Sequence, residues 1–214
     1  MRDLIDSEEF KKLEQEYKFL SRAREHLYQL EQETYVVLDC ETTGLEAKSS
    51  EIIEIAALKV ERKEVKDIFN QLIKPRSRIS EEITRITGIS NEIVEGSPSL
   101  NEVAAKFLSF IEGSTLVIHN AEFDLAFINH HIFTPRKKTL KNQVVCTLKA
   151  SRYLLPHLTS HKLTNLAQHF GIPARNSHRA LGDVETTYEL WFKLIPLLRE
   201  KCIFSKEDLR KIPA

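Results

Sequence analysis

The stretch VVLDCETTGL, residues 36–45, runs three apolar residues straight into two carboxylates, Asp39 and Glu41, and then into a Thr-Thr-Gly turn. Val36, Val37 and Leu38 read as a strand buried on both faces, because β-branched and aliphatic residues without alternation are what a covered central strand uses. Strand side chains alternate, so Asp39 and Glu41 project from one face while Cys40 points to the other. Two carboxylates on one face repel and lose hydration unless a cation sits between them. Taken alone, the pair is either a metal site or a strand end emerging into water with two solvated acids.

The chain around this stretch is 214 residues long, enough for one full domain with a large core and short for two. Its 42% hydrophobic and 29% charged content is ordinary for a globular protein. The start, MRDLIDSEEF, has no apolar signal region, and no apolar run approaches the ~18 residues of a membrane span, so no membrane role is expected. Cys40, Cys146 and Cys202 have no paired spacing, which fits a reducing cytoplasm and argues against a disulfide framework or a structural zinc site. With 31 Lys and Arg against 31 Asp and Glu, a protein that coats duplex DNA through bulk charge is not expected, whereas a nucleic acid can still be held at a local site.

Before the opening strand, Phe10, Leu13, Tyr17, Leu20, Ala23, Leu27 and Leu30 recur at steps of three and four, one apolar stripe on a long helix with Asp6 and Glu9 as its capping box. That stripe packs either on its own domain or on a partner or second copy. After the strand, EIIEIAALKV and VKDIFNQLIKP predict two further strands, antiparallel because their connection near Glu61–Glu64 is tight. LNEVAAKFLSFIEG predicts an amphipathic helix, STLVIH a buried strand, AEFDLAFINHHI a helix and VVCTL, residues 144–148, a last strand. LKASRYLL, HKLTNLAQHFG and ALGDVETTYELWFKL predict helices, the last ended or kinked by Pro196. A strand returning through a helix makes part of the sheet parallel. The expected domain is α/β, a mixed sheet of about five strands flanked by helices. Its boundaries are a helical extension over 1–34, the main domain over 35–200 and a short tail over 201–214.

Two more acids stand where they can join the pair. In HNAEFDLAFI, Asn120 is suited to cap a helix that carries Asp124 in its first turn or just past it, on a face shared with Phe127 and Ile128, where an acid either lies at the domain edge or needs a partner. In HRALGDVETTYEL, Val184, Tyr188, Trp191 and Ile195 form a buried stripe with Asp183 beside its first member. His178, about 140° round from Asp183 on a continuous helix, converges with it only from a loop before that helix and is otherwise a surface histidine. Ligands from a strand end and two helix starts can gather at one edge of an α/β sheet. Four carboxylates without cysteine suit Mg²⁺ or Mn²⁺, and so acidic a cluster is rationalised by two ions about 4 Å apart that clamp the attacking and leaving oxygens of a phosphodiester. A histidine then suits the general base.

At VVLDCETTGL, HNAEFD and HRALGD, in this order and spacing, the chain resembles the DEDDh family of 3′ to 5′ exonucleases, and within it the proofreading epsilon and PolC branch. The resemblance spans about residues 35–195 and implies the ribonuclease H-like fold. It implies that Asp39 bridges two metal ions, that Glu41 and Asp183 complete the first site, that Asp124 serves the second, and that His178 activates the water. Thr42, Thr43 and Leu45 would line the pocket for the 3′ nucleotide, with His119, Asn120 and Phe123 flanking the same groove. For Leu45 and Phe123 core packing is the alternative. Thr87 stands where relatives often carry histidine, and Cys146 where many carry aspartate. The implied activity is removal of nucleotides from a 3′ end, DNA before RNA, with a DNA polymerase subunit as implied partner. An RNA-directed relative of the oligoribonuclease or ribonuclease T type, and an inactive exonuclease fold serving as a binding module, are the other readings. Basic residues in TPRKKTLK and KPRSR are either solvated loops or phosphate contacts.

Overall fold

In the computed structural model, residues 8–173 and 179–212 are described, the side chains of Glu9 and of residues 18–26 aside. Strand β1 (Thr34–Thr42) is the axis of a five-stranded sheet of order β3-β2-β1-β4-β5. It pairs antiparallel with β2 (Ile52–Glu61), which pairs antiparallel with β3 (Glu64–Leu72). The β2–β3 link is a two-residue turn in which Arg62 and Lys63 take φ of 51° and 67°, the double positive-φ geometry whose twist matches that of the flanking strands. On its other side β1 pairs parallel with β4 (Thr115–Ile118), which pairs parallel with β5 (Val144–Cys146). The mixed five-stranded sheet expected from the sequence is therefore the one formed.

Helices cover both faces, and β1 divides its side chains between them. Tyr35 and Val37 pack with Trp191, Leu194 and Leu198 of the long helix α9 (Ala180–Glu200). Val36, Leu38 and Cys40 pack with Phe107 of α5 (Leu100–Ile111) and Phe127 of α6 (Ala121–Ile128). Tyr35 meets Trp191 edge to face at 5.5 Å, and its hydroxyl donates to the Leu30 carbonyl at 2.6 Å, so the buried ring keeps its polar end satisfied. Cys40 is thus a packing residue, as its alternation requires.

Three features depart from local expectation. Helix α9 runs through Pro196 to Glu200. Pro196 lies on the exposed side, while buried Leu194, Ile195 and Leu198 hold the helix on either side of it. Two short helices, α3 (Glu81–Thr87) and α4 (Asn91–Val94), follow β3 over a small cluster of Ile53, Ile79, Ile89 and Val94. Past Ile128, α6 continues as a π turn over Asn129–Phe133.

At the N-terminal side, α1 (Glu8–Leu27) carries part of the expected stripe outward: Leu13 is 66% and Tyr17 72% exposed. The side chains of Leu20 and Ala23, and the Asp6–Glu9 box, lie outside what is described. α2 (Gln29–Gln32) contacts the domain: Leu30 is fully buried and Glu31 pairs with Arg199 and, at 3.4 Å, with Lys63. Beyond α9, Ile203 and Leu209 return to the same core. The remaining helices are α7 (Thr147–Leu154) and α8 (Leu163–His169). Among the described residues no helix is long and apolar enough to cross a membrane.

Candidate metal centre

The four acids come together where the parallel ladder gives out. Pairing of β1 with β4 ends at Val37 and Val117, so β1 runs on toward Thr42 with its β4 side open. The start of α6 fills that space: the Asp124 carboxylate accepts the backbone N–H of Cys40 at 3.0 Å, replacing a sheet partner and pinning α6 to the strand. Asp124 is only 2% exposed, an acid on an apolar helix face that finds its partner in a neighbouring backbone.

Asp39 and Glu41 continue the Tyr35–Val37 face and meet Asp183, in the first turn of α9, with one carboxylate oxygen of each within 4.8 Å of the others. Burial pushes Asp39 well above the usual carboxylate range, reinforced by the charges of Asp124, Glu41, Asp183 and Glu54. Glu41 rises to about 7, chiefly through burial and then through Asp183 and Glu54, with Arg179 opposing. Asp124 rises to about 8 by burial, although the Cys40 N–H favours its charged form. Oxygen-only donors that repel one another at this range fit hard divalent cations, which remove the repulsion and keep the acids ionised.

The loop after β1 is built for rigidity. The Thr42 hydroxyl donates to the Gly44 carbonyl at 2.7 Å, the Thr43 N–H to the Glu51 carbonyl at 2.8 Å, and the Glu51 N–H to the Thr43 hydroxyl at 2.9 Å. Gly44 packs closely on Ser50, whose Oγ would lie 2.6 Å from an added Cβ and would have to turn away to admit one. The Glu51 carboxylate accepts N–H groups of Arg76 and Ser77 at 2.9–3.1 Å, which ties the KPRSR segment to this edge of the sheet. On this braced loop Leu45 stands 83% exposed, so the core-packing alternative does not apply to it.

The residues flanking Asp124 divide. Asn120 occupies the N-cap position with φ of 60° and makes no side-chain cap bond, so it starts α6 through its backbone conformation alone. Phe123 is partly buried and packs on Phe127 at 5.1 Å. His119 turns to Thr147, Nδ1 to Oγ1 2.9 Å, and burial lowers its pKa to about 4, which makes it a neutral hydrogen-bonding group. Thr87 serves its own turn, donating to the Ile83 carbonyl and accepting from the Ile89 N–H. His178 lies outside the described residues; the helix carrying Asp183 begins two positions later. Arg136, Lys137, Lys138 and Lys141 of the TPRKKTLK run line, with Lys206, a cleft of about 1050 Å³ that includes Ser114 and Thr115. That is the start of β4, the edge of the sheet opposite the carboxylates.

One residue of the centre went unnoticed in the sequence. Glu54 is fully buried, stands opposite Glu41 in the β1–β2 register, and receives both Arg179 and the Ala180 N–H. A lone acid inside the apolar run EIIEIAAL was the available signal.

Comparison with known proteins agrees with this architecture. The model of the RNase T family, described as an exonuclease, matches residues 36–191. The PolC-type DNA polymerase III of Clostridium perfringens is 42% identical over 191 residues, covering 84% of this chain, which spans 13% of that protein's length. The DNA polymerase III subunit epsilon of Aquifex aeolicus is 37% identical over 162 residues, 76% of this chain and 80% of the relative. Among solved structures, exonuclease X in complex with 5′-overhanging duplex DNA superposes with a TM-score of 0.65 at 25% identity, covering 83% of this chain and 98% of the other.

Proposed function

Since the chain belongs to the RNase T exonuclease family, we propose that it is a metal-dependent 3′ to 5′ exonuclease that removes nucleotides one at a time from single-stranded DNA as 5′-monophosphates. The observation that carries this reading is the meeting of Asp39, Glu41 and Asp183 within 4.8 Å, with Asp124 anchored beside them on Cys40. These four side chains would hold two divalent cations, Mg²⁺ or Mn²⁺. When bound, such ions stabilise the charge that develops on the attacking and leaving oxygens of a phosphodiester.

The protein's own residues supply the rest. Asp39 and Glu41 are held by a strand whose flanking side chains are fully buried, so their positions cost little reorganisation. The braced loop 42–45 offers backbone groups and the exposed Leu45 as a wall against the terminal base. Asn120 and Phe123 border the groove from α6. His178 takes the proton of the attacking water, a task for which an imidazole titrating near neutrality is suited. A frayed or mismatched 3′ end threads such a groove and an intact duplex does not, which makes proofreading beside a replicative polymerase the fitting role. The polymerase III names of the PolC and epsilon relatives support both the DNA substrate and the polymerase partner. Residues 35–200 form the catalytic unit in this reading, and the exposed stripe of α1 is available to a partner or second copy.

Turnover on matched 5′-labelled DNA and RNA oligomers tests the substrate. Faster shortening of DNA is expected; faster shortening of RNA would move the chain to the exoribonuclease reading.

A further inference from the structure

Asp183 reaches the centre from α9, which begins well over a hundred positions after the strand that carries Asp39 and Glu41, so something must set where that helix starts. The structure shows what does. Arg179, the N-cap residue of α9, has no side-chain cap bond of its own. Its guanidinium instead clamps Glu54 on β2, Nε to Oε2 at 3.2 Å and Nη2 to Oε1 at 2.9 Å. The same Oε2 accepts the Ala180 N–H at 3.1 Å, so Glu54 caps the first turn of the helix from another element and places a negative charge at the positive end of its dipole. The Arg179 carbonyl in turn accepts the N–H groups of Gly182 and Asp183 at 2.9 and 3.2 Å.

The chain of contacts therefore runs from β2 to Glu54, to Arg179 and Ala180, and on to Asp183. Glu54 stands opposite Glu41 in the sheet register, so its β2 backbone is braced directly against a ligand strand. The Glu54 side chain is 1% exposed although Arg179 is half-exposed, and a bidentate pair on a buried carboxylate constrains the geometry of both partners. On the reading of the carboxylates as a metal site, we propose that Glu54 and Arg179 are positioning residues that fix the first turn of α9 on the sheet, so that Asp183 meets Asp39 and Glu41 at ligand distance. Neither touches substrate.

A purely electrostatic role makes the opposite prediction for one variant. Removing the Arg179 cation makes the acidic centre more negative, which by field alone tightens a divalent cation. Loss of positioning loosens it. The experiment measures Mn²⁺ binding to the full chain by the loss of free-ion paramagnetic resonance signal, without nucleic acid, for the unaltered protein, Arg179→Gln and the double variant Glu54→Gln/Arg179→Gln. The double variant keeps an amide pair in place of the ion pair and leaves net charge unchanged, so it stays informative if Arg179→Gln fails to fold with an unpaired buried Glu54.

The expected result is an Mn²⁺ dissociation constant raised about 10-fold or more in both variants, the scale on which ligand-orienting neighbours act. Folded Arg179→Gln that binds Mn²⁺ as tightly as the unaltered chain, or more tightly, overturns the inference. An unchanged constant in the double variant does the same. Because the readout needs no turnover, a chain that binds Mn²⁺ yet degrades no DNA counts against the exonuclease reading and leaves the positioning role decided by these constants.

Discussion

On the proposed reading of the crowded carboxylates as a metal site, they tie the stability of this protein to pH and to metal. The perturbation is a pH change from 6.5 to 8, with and without excess Mg²⁺. Without metal, Glu41 is raised from 4.5 to about 7 and Asp124 from 3.8 to about 8, mainly by burial. A carboxyl whose folded pKa exceeds its unfolded value binds its proton better when folded. Stability is therefore full below the unfolded pKa and is lost as pH rises toward the folded one. For Glu41 the loss between about pH 4.5 and 7 is about 3 kcal/mol, and Asp124 extends the decline to about pH 8. His119 acts in the opposite sense, because its pKa is lowered from 6.5 to about 4 and its contribution rises with pH through that interval. Above pH 6.5 that compensation is complete, and the decline from Glu41 and Asp124 continues. Metal binding must displace the protons the acids still hold. One proton displaced makes metal stabilisation grow by about 1.4 kcal/mol per pH unit, or about 3–6 °C in melting temperature for a chain of this size. Melting curves in EDTA and in excess Mg²⁺ at pH 6.5, 7 and 8 measure it. The metal-induced shift should widen at each step. A shift of equal size at pH 6.5 and 8 would refute the proposition that these acids hold protons the ion must replace.

Other consequences follow from single side chains. His178→Ala should lower turnover by about 10²–10⁴-fold, the range of a lost general base, while Mn²⁺ affinity changes little; equal turnover would remove His178 from the chemistry. Leu45→Ala should leave the melting temperature within about 1 °C, because the side chain is 83% exposed, yet raise KM for oligonucleotides; an unchanged KM would mean the loop does not meet the terminal base. Trp191→Ala removes a fully buried ring that meets Tyr35 at 5.5 Å, and should cost about 3–5 kcal/mol in urea unfolding. A loss under 1 kcal/mol would show that the α9 face is not the principal core.

Much of the fold was legible because the decisive signals are local. An apolar run ending in D-x-E, a tight turn at Glu61–Glu64 and three-and-four-residue stripes each announce an element within a dozen positions. The acids of the centre were legible for the same reason, each marking the end or start of an element. Helices α3 and α4 were not foreseen, since elements of seven and four residues have no periodicity to read, although Ser80 and Gly88 stand at the cap positions of the first. The passage of α9 through Pro196 depended on which side of the helix faces water. Glu54 and Arg179 lie 125 positions apart, and no local pattern joins them. The turn of His119 toward Thr147 is likewise set by packing between β4 and α7.

Incubating a 5′-labelled single-stranded DNA oligomer with the unaltered chain and with Asp39→Ala, in Mg²⁺, in Mn²⁺ and in EDTA, tests the proposed exonuclease. A ladder of products shortened one nucleotide at a time from the 3′ end, with 5′-monophosphates released, is expected in either metal, and neither ladder nor release in EDTA or in Asp39→Ala. Shortening that persists in Asp39→Ala, or a folded, metal-supplied chain that leaves the oligomer intact, would contradict it.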